Sequence, residues 1–471
     1  MAVIVALGIA SGAARAESGA TMHLTPAALR DLAFATLQSG DAEQALVLTE
    51  ALLMRDPRDA GALIIRSQAL RALGRLAEAE AAARSGFAAA DTLPLKYGAA
   101  LALAQALSLE GHRTRAQIWL RRATHYATTD DQRRRVASDY GYVRQQNPLN
   151  LRFDTSLQPS NNVNNGSMHS IWEFMGLPFE LSGDARALSG LVGDFGIQGS
   201  YRLAQSLTTH DALTFGLSDH EVYLSPEAHR QAPGVSNDNY RMLSLQGGYQ
   251  HRDLLAPDGT ILTTELSAER TYYGSAGRTS GPSCTDPSIP DCIGIFGPLS
   301  DTATLSLDLS RPYAPGSTNF AHLDLQRNWR RDDPASSSIL FGGSGGFSQR
   351  LASGDQLQGS FGLSRVTSDN ITVGHTTASV TVGYTLARPI AGIRWSGSLG
   401  ASLASYGYSY VGMTSDRADR NLTLGLSGEL NMISIYGFSP VLSLSVSANE
   451  SNADLYDTRS FGLGLSFRSQ F

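Results

Sequence analysis

The sequence predicts two unlike parts: an N-terminal α-helical repeat array followed by a transmembrane antiparallel β-barrel of about fourteen strands. Three observations carry this expectation. Apolar spacing changes from a period near 3.6 to a period of 2 around Asn147-Pro148. Marker residues recur about every 34 positions before that point. Beyond it, alternating runs reach 12–15 residues, well past the usual strand length of about 5–6 and long enough to cross a bilayer at a tilt.

Composition agrees. Of 471 residues, 17% are charged and 47 are Gly, against roughly 25% charged and about 7% Gly in soluble domains. A disordered chain would be richer in charge and poorer in aromatics. The net charge is −6 and Lys96 is the single lysine, so no basic surface for nucleic acid is expected. The charge is uneven: residues 17–147 hold 16 basic and 14 acidic side chains, residues 148–471 hold 20 and 29. The excess acid therefore belongs to the second part.

Ala2 to Ala10 is apolar or Gly and is followed by Ala14-Arg15-Ala16, the pattern of a secretory signal peptide over residues 1–16. Residues 17–147 then form the expected repeat domain and 148–471 the barrel. No later segment approaches the ~18 uncharged apolar residues of a membrane helix. Cys284 and Cys292 lie eight residues apart in a proline-rich stretch, and in an exported chain they are expected to close one loop as a disulfide.

Within the helical part, Gly40-Asp41 and Gly74-Arg75 are 34 residues apart, as are Ala45 and Ala79, while Gly111-His112 and Ala116 follow 37 residues later. The three units resemble tetratricopeptide repeats. In the first, Leu29, Leu32, Ala33, Gly40, Ala45, Leu52 and Pro57 fall on that pattern; in the third, Leu103, Ala104, Leu107, Gly111, Ala116, Leu120 and Ala123 do. The second is weaker, with Arg66 and Gly86 at usually apolar positions. Gly and Ala are expected where paired helices cross closely, and each unit buries its face by stacking on the next. The resemblance implies a concave surface lined by the first helix of each pair. Registration places Arg30, Phe34, Leu37, Ile64, Gln68, Arg71, Leu101, Gln105 and Ser108 there, either as partner-binding residues or as residues that simply pack or face solvent. Arg133-Arg134-Arg135 reads as a solvated helix end, with contact to an acidic partner as the rival.

In the second part, fourteen segments are expected as strands: 149–159, 188–204, 211–224, 239–253, 260–274, 301–312, 318–331, 338–351, 355–368, 376–388, 392–407, 420–433, 439–450 and 459–471. Short and long connections alternate between them, as periplasmic turns and outer loops do in outer-membrane barrels. Phe461, Leu463, Leu465 and Phe467 alternate with small or polar residues up to a final Phe471, which resembles the sorting signal read by the barrel-assembly machinery.

No catalytic set emerges. There is no H-E-x-x-H, G-x-S-x-G or P-loop, and no cluster suggests a metal or other cofactor. Gly342-Gly343-Ser344-Gly345-Gly346 opens no helix and lacks a lysine, so tight barrel packing is expected instead of a phosphate cradle. The run from Asn161 to Gly166 reads as a polar loop, with a cation or sugar site as the alternative.

The order of helical repeats, Asn147-Pro148, and a first strand through Ser156-Leu157-Gln158-Pro159-Ser160-Asn161-Asn162-Val163-Asn164 resembles the surface lipoprotein assembly modifier family. That resemblance implies a periplasmic repeat domain, a fourteen-stranded barrel in the outer membrane of a Gram-negative bacterium, and assistance to lipoproteins reaching the cell surface. Expected partners are outer-membrane lipid, the barrel-assembly machinery and a periplasmic or lipoprotein client. The alternative is a porin or exporter of polysaccharide or solutes with the repeats as adaptor.

Overall fold

A computed structural model describes residues 24–174, 177–274, 296–409 and 415–469. The signal peptide at 1–16, the Cys284/Cys292 pair and Phe471 lie outside these residues. The chain divides into two compact units, one built on the helices up to Asn147 and one on the strands from Pro148.

The helical unit contains α1 (Pro26–Gln38), α2 (Ala42–Arg55), α3 (Ala60–Ala72), α4 (Leu76–Ala89), α5 (Leu93–Leu109), α6 (Arg113–Tyr126) and α7 (Asp130–Gln146). Side-chain caps start several of them: Thr25, Asp41 and Asp59 accept from the third backbone N–H that follows, and Thr129 with Gln132 forms a capping box. The pairs turn at Gly40, Gly74 and Gly111, whose φ values are +95°, +73° and +85°. These three glycines do not sit at helix crossings. A Cβ on any of them would meet nothing within 4 Å, so the repeat spacing marks left-handed turns that glycine adopts without strain. The crossings use Ala45, Ala79 and Ala116, each fully buried, and Gly86, where a Cβ would lie 3.3 Å from that of Leu63. Gly86, irregular in sequence, thus has a packing reason. The main core runs from Ile64 and Ala83 through α5 and α6 to Val136, Tyr140 and Val143 of α7.

The strand unit is a closed antiparallel barrel of fourteen strands: β1 (Leu149–Ser160), β4 (Gly190–Gln205), β5 (Thr209–Leu224), β6 (Met242–Leu254), β7 (Ile261–Tyr273), β8 (Gly297–Ala314), β9 (Ser317–Arg330), β10 (Ser338–Arg350), β11 (Gln356–Ser368), β12 (His375–Thr385), β13 (Ile393–Tyr406), β14 (Ala418–Leu430), β15 (Phe438–Ser451) and β16 (Thr458–Ser469). Each expected segment overlaps one of these. A separate hairpin, β2 (Ile171–Phe174) with β3 (Leu177–Glu180), and a short α8 (Pro226–Gln231) lie in the long connections and were not expected from periodicity. At four residues per strand the hairpin is too short for alternation to register. Both ends of the barrel sequence, β1 and β16, meet at one mouth, here the terminal mouth; the long connections gather at the distal mouth.

Register assigns the two faces. Phe153, Leu157, Phe195, Leu213, Leu305, Leu424 and Leu465 share the outer face and are 40–52% exposed. The buried strand residues Ala212, Val222, Glu429 and Val441 belong to the other, luminal set. An apolar exterior over a polar lumen is the arrangement a closed barrel needs in a bilayer, where every backbone group is satisfied between strands.

Candidate functional site

In the helical unit, α1, α3, α5 and α7 are the first-type helices, so the concave face has four rows where three repeats were counted in sequence. Its residues have different fates. Arg30 Nη1 donates to Asp59 Oδ2 at 2.9 Å, and Asp59 also caps α3. Phe34 is 48% exposed, Leu37 packs against the first core cluster, and Gln68 and Ser108 are half-buried. Ile64 and Leu101 are buried in the core with α5 and α7, and their surfaces face protein. Gln105 Nε2 donates to Asp139 Oδ2 at 3.2 Å.

Arg71 is different in kind. Its Nε is buried and has no hydrogen-bond partner. Burial lowers its affinity for the proton, Arg135 lowers it further, and Asp139 offsets part of this. Burial likewise pushes the Tyr97 phenol up, against Arg135 and with Asp139. Arg71, Tyr97, Gln105, Arg135 and Asp139 therefore form one polar patch on the concave face, with two guanidiniums to one carboxylate. Sequence reasoning missed Tyr97 of α5, one turn before the registered positions, and Asp139, because nothing in α7 repeats the earlier units. It read Arg133 to Arg135 as one group; Arg133 and Arg134 pair with exposed Asp130 and Asp131, whereas Arg135 joins the patch.

The lumen has two chemically distinct walls. Along β1 and β4 to β9, carboxylates sit in hydrogen-bonded sets. Asp194 takes Ser156 Oγ and faces His220 Nδ1, both at 2.7 Å; Glu265 accepts from Thr214 at 2.9 Å and Gln250 at 3.1 Å; His322 Nδ1 lies 2.7 Å from Asp308. Along β10 to β16 the mid-strand luminal positions are short and uncharged, among them Ser344, Ser360, Ser379, Ser398, Thr423 and Ser445. The glycine run sits inside β10. A Cβ at Gly346 would lie 2.2 Å from the Gly359 carbonyl oxygen, so its role is close packing.

At the distal mouth the first long connection is folded on itself and tied to its neighbours. Asn162 donates to Gly166 O at 2.9 Å and accepts from Gly166 N at 2.8 Å; Asn164 donates to the carbonyls of Asp184 and Arg186 and accepts from Leu188 N. The asparagine run thus folds its own connection. That connection is tied to the last one through Ser167 Oγ to Asp454 O (3.0 Å) and His169 to Asp457 (3.0 Å), and to the next through Gln231 Nε2 to Gly183 O (2.9 Å). Leu188, Val222, Leu224, Ala228 and Ala232 form an apolar cluster beneath, and burial there, with Asp184, pushes the Tyr240 phenol up to about 12. Nearby, Arg417 is stacked between Tyr406 and Tyr456 (4.0 and 3.2 Å to the ring centres) and donates to Asp419. Among the described residues no His/Cys/Asp/Glu group could hold a metal ion.

No protein family matches the chain, and no curated protein matches it in sequence. Solved structures give partial likenesses. A quarter of the chain is similar to the type III secretion translocator chaperone SycD of Yersinia enterocolitica (22% identity, 82% of that chain, TM-score 0.23). A comparable share is similar to the TPR2B domain of yeast Sti1 in its Hsp70 complex (20%, 97%, 0.24). The anion-selective porin of Comamonas acidovorans matches over 68% of this chain and 99% of its own at 13% identity and a TM-score of 0.30. At such scores these likenesses bear on neither function nor mechanism; the fold rests on the strand topology and helix order above.

Proposed function

We infer that the protein is an outer-membrane barrel that helps client proteins cross to or appear on the cell surface, with the helical unit receiving the client in the periplasm and surface lipoproteins as the client class. The observation that carries this is the pairing, in one chain, of a concave helical face bearing the unneutralised Arg71 patch with a closed barrel that is apolar outside and polar within. Unbalanced guanidiniums favour a carboxylate-bearing chain. The test is surface labelling of lipoproteins in cells lacking the gene, complemented by wild type or by Arg71→Met. Loss of surface lipoprotein on deletion, and partial rescue by Arg71→Met, is expected; unchanged surface lipoprotein in the deletion strain would sink the proposal.

A second reading keeps one observation of its own. The short hydroxyl wall of β10 to β16 would also suit an exporter of neutral polymers or solutes. Steady conductance of the purified protein in planar bilayers, together with unchanged lipoprotein display, would favour it.

A further inference from the structure

Thirteen of the barrel's junctions pair over eleven or more residues, three of them with a single register shift near a strand end; the one between β1 and β16 does not. Its register holds only at Ser156 with Ser466, Leu157 with Leu465, and Ser160 with Gly462. Asp154, Thr155, Gln158 and Pro159 have no ladder partner in β16, whereas every one of them pairs with β4 on the other side. The cause is written in the residues. Asn161 N donates to Phe461 O at 3.4 Å, so 161 and 461 form a hydrogen-bonded pair, and by alternation Pro159 faces Leu463 in the next such pair. A proline has no N–H to give there. The reciprocal bond at Asn161 is also replaced: Phe461 N donates to the Asn161 side-chain Oδ1 at 2.7 Å, not to its carbonyl.

What holds this stretch on the luminal side is one side chain. Gln158 Nε2 reaches across β16 to Ser445 Oγ of β15 at 2.8 Å. It lies over Gly462 and Gly464; a Cβ at Gly462 would be 1.6 Å from Gln158 Nε2. The glycines thus make room for a strap, and the strap is a single neutral hydrogen bond. On the outer face the same stretch presents Leu157, Phe461, Leu463 and Leu465 to the bilayer.

We propose that the β1–β16 junction is a lateral passage that parts between lumen and bilayer to let a lipid-bearing chain segment keep its acyl groups in the membrane while its polypeptide uses the polar lumen. This rests on the translocation function proposed above. A lumen lined by carboxylates and hydroxyls is a poor environment for acyl chains, and the junction that lacks rungs is where the wall yields at least cost.

Two measurements decide it. In lipid nanodiscs without any client, the amides of Leu463 and Leu465 should exchange at least tenfold faster than those of Leu266 and Leu305, which lie in an unbroken paired stretch, and Pro159→Val, which restores an N–H, should slow them. Equal protection at both junctions overturns the proposal. In cells, Ser156→Cys with Ser466→Cys, made in a Cys284→Ser, Cys292→Ser background, should lower lipoprotein display at least tenfold when oxidised and recover with reductant. Ser200→Cys with Thr214→Cys, locking two strands already paired on either side of that site, should leave display unchanged. Display that survives the first lock overturns the lateral route. If the unlocked protein displays no lipoprotein, the translocation function falls, and the exchange measurement still decides whether the junction opens.

Discussion

Gly40, Gly74 and Gly111 show how a residue type can be read correctly and for the wrong reason. Their spacing identifies the repeats, yet each is kept by its positive φ and not by contact. Gly74→Ala should cost about 1 kcal/mol of helical-unit stability through backbone strain alone, seen as a lowered denaturation midpoint; an unchanged midpoint would contradict this. Arg71→Met should behave in the opposite way, leaving stability unchanged or slightly raised because no ion pair is lost, while weakening retention of an acidic client. Glu110 gives a pH prediction. Burial, then its hydrogen bond and charge contact with Glu80, raise its pKa; burial also pushes Glu80 up, but its hydrogen bonds with Arg84 and Glu110 and the Arg115 charge hold it low. A raised acid binds protons more tightly folded than unfolded, so its share of stability is present at low pH and is lost as pH rises through the folded pKa. Glu110→Gln should therefore stabilise the unit near pH 8 by up to about 1 kcal/mol and hardly at all below pH 4, as thermal melts across that range would report.

At the scale of elements, the strands were legible because each alternates over more than ten residues, and the period-2 signal outlasts local noise. Phe461 to Phe467 illustrate this: the outer set of β16 is the alternating set of the sequence. The hairpin of β2 and β3 was invisible since four-residue strands carry almost no periodicity. The asparagine run was read as a polar loop, and it is one, but its work is to fold the longest described connection onto itself. Asn164→Ala removes three hydrogen bonds, worth about 2–3 kcal/mol locally. It should loosen that connection and expose Arg186 to trypsin in intact cells; a connection that stays resistant to trypsin would show that other contacts hold it.

The whole molecule is held in its membrane by the mainly apolar outer face of its strands. Leu424 stands near the middle of β14 on that face, 52% exposed. Leu424→Arg should destabilise the barrel in lipid by roughly 2–4 kcal/mol, measurable as a shift in the urea midpoint of folding into vesicles, whereas Thr423→Arg on the luminal side should cost less. Equal penalties would mean that the two faces have been assigned wrongly.

Periodicity, composition and length by themselves determined the helical repeats, the fourteen strands and the polarity of each strand's two faces, because these depend on local alternation that any folded form must respect. They did not determine which residues would meet. Arg71, Tyr97, Arg135 and Asp139 are separated by up to 68 positions, and their patch exists only because α7 docks as a fourth row. The weak junction is likewise a property of closure: Pro159 is unremarkable in a strand until β16 arrives beside it and finds no N–H. Local patterns fix what a segment can be, while the pairing of chain ends more than 300 residues apart fixes where the wall can open.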